Sequence, residues 1–255
     1  MKIEKIIKLK SGKYKLEFDN KEKIVTYDEV ILNNNLLFNK EVNYELLNEI
    51  NNQTNYYDNY YKVFKYISTK MRSKEEINKY LEKINVSEKD KTNIMEKLIN
   101  IGLLNDEKYV KAFISDKILL SNYGPNKIKK ELLEHNIDYE VINMELDKCD
   151  KNVFKEKLMK LLMKKVKSNH KYSKYQLKQK MMEYFINLGY TKDMINECLD
   201  EIDLKDDGII EKEYQKIYNR LSKKYSADEL NYQIKNKLYQ KGFSIEQINE
   251  VLKNE

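Results

Sequence analysis

At 255 residues the chain can hold one large domain or two ordinary ones, and 35% charged side chains with a formal net charge of +6 leave enough apolar material for a real core. Six glycines and one proline disfavour a turn-rich all-β architecture and favour long helices with short connections. No stretch approaches the roughly 18 to 20 apolar residues of a membrane helix, and lysines interrupt "MKIEKIIKLKSGKYK" where a signal peptide needs an apolar run, so a cytoplasmic protein with no membrane partner is expected.

The first fifty residues differ from the rest. "KYKLEF" places Tyr14, Leu16 and Phe18 on one face and charged residues on the other, the period of a half-buried strand. With the turn residues "DNKE" and the β-branched, aromatic "KIVTY", Lys13 to Tyr27 reads as a hairpin, and "IEKIIKL" is a candidate third strand. "DEVILNNN" and "NYELLNEI" read as helices. The tyrosine-dotted "NNQTNYYDNYY" is either a linker or the opening of the next helix, and the extension is set at residues 1–55.

From about Tyr60 the pattern is helical and repetitive. Four segments superpose by their middle helix: "SKEEINKYL" from Ser73, "GPNKIKKEL" from Gly124, "SKYQLKQKM" from Ser173 and "SADELNYQI" from Ser226. The fourth residue after each start is Ile77, Ile128, Leu177 or Leu230, and the eighth is Leu81, Leu132, Met181 or Ile234, one apolar stripe used four times. A further helix follows in each, with Asp90, Asp138, Thr191 and Ser244 as its start residues ahead of Ile94, Ile142, Ile195 and Ile248. An apolar-periodic stretch precedes each middle helix. The fold expected is mainly α: tandem three-helix repeats over 56–106, 107–150, 151–205 and 206–255, in an elongated curved array behind a small N-terminal β-hairpin-containing extension.

Ser73, Ser173 and Ser226 have Glu76, Gln176 and Glu229 three residues on, the capping-box spacing. The second repeat has Gly124 and Lys127 instead, followed by Pro125 at the first helical position, where a missing N–H costs nothing. Pro125→Ser is accordingly expected to be nearly neutral. In this helix Ile128, Leu132 and Leu133 are assigned inward, leaving Lys127, Lys129 and Lys130 exposed.

The junction "GLLNDEKYVKAFISDKILLSNYGPNKIKKELLEHNI" reads as a left-handed helix end at Gly102, a cap at Asn105 or Asp106, and a buried face beginning with Tyr109, Ala112 and Phe113. It resembles the RecX family of regulatory proteins through Gly102, Leu103, Leu104, Asn105, Asp106, Tyr109, Gly124, Ile128, Glu131, Leu132 and Ile137. Val110, Lys117 and Asn136 depart from the family pattern, Asn136 standing where glycine precedes the isoleucine. The β-rich extension is similar to that of RecX proteins from Gram-positive bacteria. The resemblance implies a regulator that binds RecA, lodges along the RecA filament on single-stranded DNA, and restrains its ATPase and strand exchange in recombination and repair.

Nothing in the chain reads as an enzyme site, and no cofactor, metal or small-molecule substrate is expected. His135 and His170 lack metal-ligand spacing, and Cys149 and Cys198 read as reduced thiols. "DLKDDGIIEKE" lacks the order of a calcium loop and reads as a connector with Asp207 as a cap. Between Lys155 and Lys180, however, ten lysines meet one acid, Glu156. The candidate partner- or DNA-binding residues are Lys117, Lys127, Lys129, Lys130, Lys164, Lys165, Lys167, Lys171, Lys174 and Lys178. A helical-repeat protein that binds nucleic acid directly through this basic stripe is the alternative.

Overall fold

The computed structural model describes residues 1–169, 171–204 and 208–253. Strands β1 (Ile3–Lys8), β2 (Tyr14–Phe18) and β3 (Lys23–Thr26) form an antiparallel sheet in the order β1-β2-β3. Leu16 pairs with Ile6 on one side and Ile24 on the other. The alternation expected from the sequence holds, since Leu16 and Phe18 are buried while Glu17 bridges Lys15 at 2.7 Å. The candidate third strand is β1.

Helices α1 (Asp28–Asn33) and α2 (Tyr44–Ser68) follow. The polar tyrosine run is helix: it lies inside α2, whose Tyr57, Tyr60, Val63 and Ile67 are buried at helical spacing. Residue 55 therefore falls within α2, and a single cluster runs from Ile3 through Leu104, so the sheet and the first three-helix repeat share one core.

The repeats are α2, α3 (Lys74–Lys83) and α4 (Glu88–Asn100); α5 (Asp106–Leu120), α6 (Pro125–Glu134) and α7 (Tyr139–Asp147); α8 (Lys151–Lys167), α9 (Lys174–Asn187) and α10 (Lys192–Asp200); and α11 (Ile209–Leu221), α12 (Ala227–Gln240) and α13 (Ile245–Lys253). The chain divides into two compact units, Met1–Tyr109 and the remainder from Val110. The fourth repeat has its own cluster, in which Tyr214, Ile217, Leu230, Ile234, Phe243 and Ile248 pack together.

One device closes every middle helix. Asn85, Asn136, Gly189 and Gly242 all have positive φ, and the residue after each, Val86, Ile137, Tyr190 or Phe243, is buried. Each buried residue sends its N–H five residues back, to Leu81, Leu132, Phe185 or Leu238, which is the Schellman end of a helix. Asparagine tolerates the left-handed region better than other side-chain-bearing residues, so Asn136 does the work of the family's glycine at φ 55°. In the third and fourth repeats the middle helix is one turn longer, and Phe185 and Leu238 add a third buried rung above Met181 and Ile234.

The starts of the middle helices differ from one another. At α3 both halves of the capping box form: the Glu76 amide donates to Ser73 Oγ at 3.1 Å, and the Glu76 carboxylate accepts from the Ser73 amide at 3.1 Å. Ser173 accepts from the Gln176 amide and donates to the Lys241 carbonyl at 2.6 Å. Ser226 stands at the N-cap of α12 without a side-chain bond; it is open to solvent, where water serves the amides. Pro125 begins α6 as expected, but Gly124 is more than a lost cap. Its amide donates to the Leu188 carbonyl at 2.7 Å, and the Asn126 amide donates to the Gly189 carbonyl at 3.0 Å. The third repeat thus supplies the acceptor that a serine would have offered. A Cβ on Gly124 would lie 2.6 Å from the Gly189 backbone, so no cap side chain fits.

Two assignments change and one open alternative is decided. Ser87, not Asp90, caps α4; Asp90 stands three residues inside and accepts from the Ser87 hydroxyl at 2.9 Å. Asn105 caps α5, through the Lys108 amide at 2.9 Å. Leu133 is exposed, because α6 ends within one turn and only Ile128 and Leu132 reach the core. The cap assigned to Asp207, and His170, lie outside the described residues.

Candidate anion-binding surface

The ten lysines singled out by charge differ in their surroundings. Lys117, on α5, is half-buried, bonds Glu131 at 2.5 Å, and lies between the rings of Phe113 and Tyr123 at 5.0 and 5.2 Å. Lys127 reaches the same Tyr123 ring at 4.3 Å. Lys129 points toward α7, where it donates to Asn143 Oδ1 at 2.6 Å and sits 3.8 Å from the Tyr139 ring centre. Its hydrogen bond and positive charge, with a hydrogen bond from Asn143, hold the Tyr139 hydroxyl below the usual tyrosine range. Lys130 alone of this triplet is exposed. Successive helical positions turn by about 100°, so Lys129 lies well round the helix from both Lys127 and Lys130; Lys127 and Lys129 are half-buried rather than free.

The third repeat carries the larger group. Lys155 bonds Glu201 at 2.9 Å and Glu197 at 3.7 Å, and Lys178 bonds Asp200 at 3.2 Å. Lys157 turns inward to the Ile118 carbonyl, where burial lowers its ammonium below the ordinary lysine value. These three are spoken for. Lys160, Lys164 and Lys167 occupy one exposed face of α8 at the spacing of successive turns. Lys164, Lys165 and Lys167 also lie in the last turn of α8, where positive charge complements the helix dipole, which gives them a structural role too. Lys174 is exposed at the first position of α9.

Lys165 and Lys171 belong to a different feature, an open cleft of about 460 Å³ between the end of α8 and α9. Lys165 Nζ lies 3.8 Å from the Tyr184 ring centre; Lys171 and Lys180 share Tyr172, at 5.5 and 4.8 Å. Leu177 and Met181, both buried in the repeat's core, contribute to the lining. Sequence reasoning counted Lys180 in the cluster but did not single it out, and it passed over Tyr172 and Tyr184. The available signal was the interleaving of lysine with tyrosine in "KYSKYQLKQKMMEY".

Burial raises the thiols of Cys149 and Cys198 above the usual range, which disfavours the nucleophilic thiolate. His135 ends α6 with its ring edge-on to Phe113 at 5.6 Å. Among the described residues no three His, Cys, Asp or Glu side chains are grouped to hold a metal ion, and no helix is long and apolar enough to cross a membrane.

Comparison with known proteins gives a consistent set of relatives. The model of the RecX second three-helix domain matches residues 105–146, and that of the third three-helix domain matches twice, over 155–199 and 206–252. The two third-domain matches are the repeats with the lengthened middle helix. "Regulatory protein RecX" of Streptococcus agalactiae serotype III is 32% identical over 99% of both chains. The protein of that name from Bacillus cereus is 32% identical over 89% of this chain and 80% of its own. Two solved structures share the fold: "Crystal structure of regulatory protein RecX", with TM-score 0.71 and 23% identity over 78% of this chain and 98% of that one, and RecX from Lactobacillus salivarius, with TM-score 0.56 and 24% identity over 59% and 97%.

Proposed function

The chain belongs to the RecX family, and from that premise we propose that it is a non-catalytic regulator that binds the RecA filament on single-stranded DNA in the cytoplasm and restrains RecA's ATPase and strand exchange. The observation that carries this reading is likeness to regulatory RecX proteins across 99% of the chain. The exposed lysines add support, since Lys130, Lys160, Lys164 and Lys167 have no ion-pair partner among the described residues and offer their charge to an acidic filament or a phosphate backbone.

The test is the DNA-dependent ATPase of the cognate RecA with substoichiometric protein. Inhibition is expected, and Lys130→Glu, Lys164→Glu and Lys167→Glu together should weaken it about tenfold or more while the helical signal and melting stay unchanged. Lys129→Glu is a poorer probe, because it also removes the contacts to Asn143 and Tyr139. Direct nucleic-acid binding predicts something else. Bare and RecA-coated strands would then bind equally, the ATPase would be untouched, and affinity would fall on the order of 10³ to 10⁵ between 50 and 200 mM salt for six to ten phosphates. That outcome sinks the filament reading.

A further inference from the structure

The cleft between α8 and α9 gathers on one lining three lysines that are held over aromatic faces. Elsewhere in this repeat, Lys155 and Lys178 are neutralised by carboxylates. In the cleft, Lys165, Lys171 and Lys180 are held over the faces of Tyr184 and Tyr172. A cation held by an aromatic ring keeps its full charge, so these side chains are positioned without being compensated. Three ammonium groups converge on one cleft of about 460 Å³, within the usual range for small-ligand sites, with Glu183 the acid on its lining.

The loop side is ordered by Asn169, whose side-chain oxygen accepts from the Lys171 and Tyr172 amides and whose side-chain nitrogen donates to the Tyr172 carbonyl at 2.8 Å. Leu177 and Met181 supply apolar lining. A complementary ligand must carry several negative charges in a small volume next to a flat, weakly polar body. An acidic peptide spaces its single charges one residue apart; a nucleotide concentrates them on its phosphates and adds the base.

We propose that this cleft binds a nucleotide, its phosphates against Lys165, Lys171 and Lys180 and its base against Leu177 and Met181. The nucleotide is either a free nucleoside polyphosphate or one unit of a single strand, and the same lysines serve both. The site does not rest on the RecA reading, because binding is measured on the isolated protein.

The experiment is a titration of the ¹⁵N-labelled full chain with ATP, inorganic tripolyphosphate and a short oligothymidylate, each alone. ATP is expected to shift the amides of Lys165, Tyr172, Lys180 and Tyr184, and to bind more tightly than tripolyphosphate. Lys165→Gln with Lys180→Gln should weaken it about tenfold or more, as should Lys171→Gln, which lies outside the helices. Lys178→Gln, paired with Asp200 away from the lining, is the control and should bind as before. If the oligothymidylate competes with ATP and is weakened by the same variants, the strand is a source of the nucleotide; if it does not compete, the free nucleotide is the ligand. No shift at these amides, shifts indifferent to the lysine variants, or tripolyphosphate binding as tightly as ATP overturns the proposal.

Discussion

Gly124 and Gly189 meet main chain to main chain, and the two glycines are required for different reasons. Gly124 has an ordinary extended backbone and is kept small by the carbonyl and amide opposite it. Gly189 has φ 89°, and a Cβ there would stand 2.5 Å from Lys127 Cβ, so both conformation and space demand glycine. Gly102 separates these effects, since its φ is 73° but a Cβ there would have nothing within 4 Å. Gly102→Ala should therefore cost only the left-handed penalty of about 1 to 2 kcal/mol. Gly189→Ala should cost several kcal/mol, because the clash adds to that penalty. Calorimetric melting of the two variants checks the difference, and equal losses would mean that the junction yields. Pro125→Ser now has a different expectation: it changes the first helical residue and not the cap, so it restores no bond and loses a few tenths of a kcal/mol through the freer unfolded chain. The start of α6 was legible in the sequence. The reason for its glycine was not, because the backbone that excludes a side chain arrives from another repeat.

At the scale of elements, the apolar period located the stripes of all four middle helices, since helix-face burial depends on local spacing. Ile77 and Leu81, Ile128 and Leu132, Leu177 and Met181, and Leu230 and Ile234 are all buried. The extra turn of α9 and α12 escaped notice because its rung simply continues the same period. Phe185 is fully buried and meets Tyr190 edge-on at 6.0 Å, so Phe185→Ala should cost about 3 to 5 kcal/mol, measured as lost hydrogen-exchange protection in α9 and α10. A buried carboxylate held by two solvent-accessible lysines, one of them 28 residues away, is a second feature that local spacing does not fully reveal. Burial opposes the charge on Glu213, but hydrogen bonds from Lys216 at 2.6 Å and Lys241 at 2.7 Å outweigh it and hold the carboxyl below its ordinary value of 4.5. A depressed carboxyl stabilises fully above that ordinary value and loses its contribution as pH falls through the lower folded one. Glu213→Gln should thus melt below the native chain at pH 7, with the gap closing as pH falls below 4.5 and through the lower folded value. A gap independent of pH would assign the loss to packing instead of charge.

For the whole molecule, the division into units falls between Tyr109 and Val110, inside α5, where no turn residue marks it in the sequence. Charge is more local than the chain's +6 suggests. Residues 151–205 contain thirteen lysines and seven acids, so this one repeat matches the entire formal excess and the remainder sums to neutrality. Much of the acid is already engaged, through Glu197 and Glu201 with Lys155 and Asp200 with Lys178. The long-range field toward an anionic partner is consequently set by lysines that lack such partners among the described residues, chief among them the exposed row Lys160, Lys164 and Lys167. Exposed charges steer encounter more than they hold a formed complex, and salt screens them over about 10 Å at 0.1 M. Replacing that row by glutamine should slow association with RecA-coated single strands about tenfold at low salt, with less effect on dissociation and a flatter dependence on ionic strength. Replacing Lys155 and Lys178 removes formal charge too, but it frees the carboxylates they face. If stopped-flow traces show the row variant associating at the native rate, the third repeat is basic for the sake of its own helix ends and does not guide the partner in.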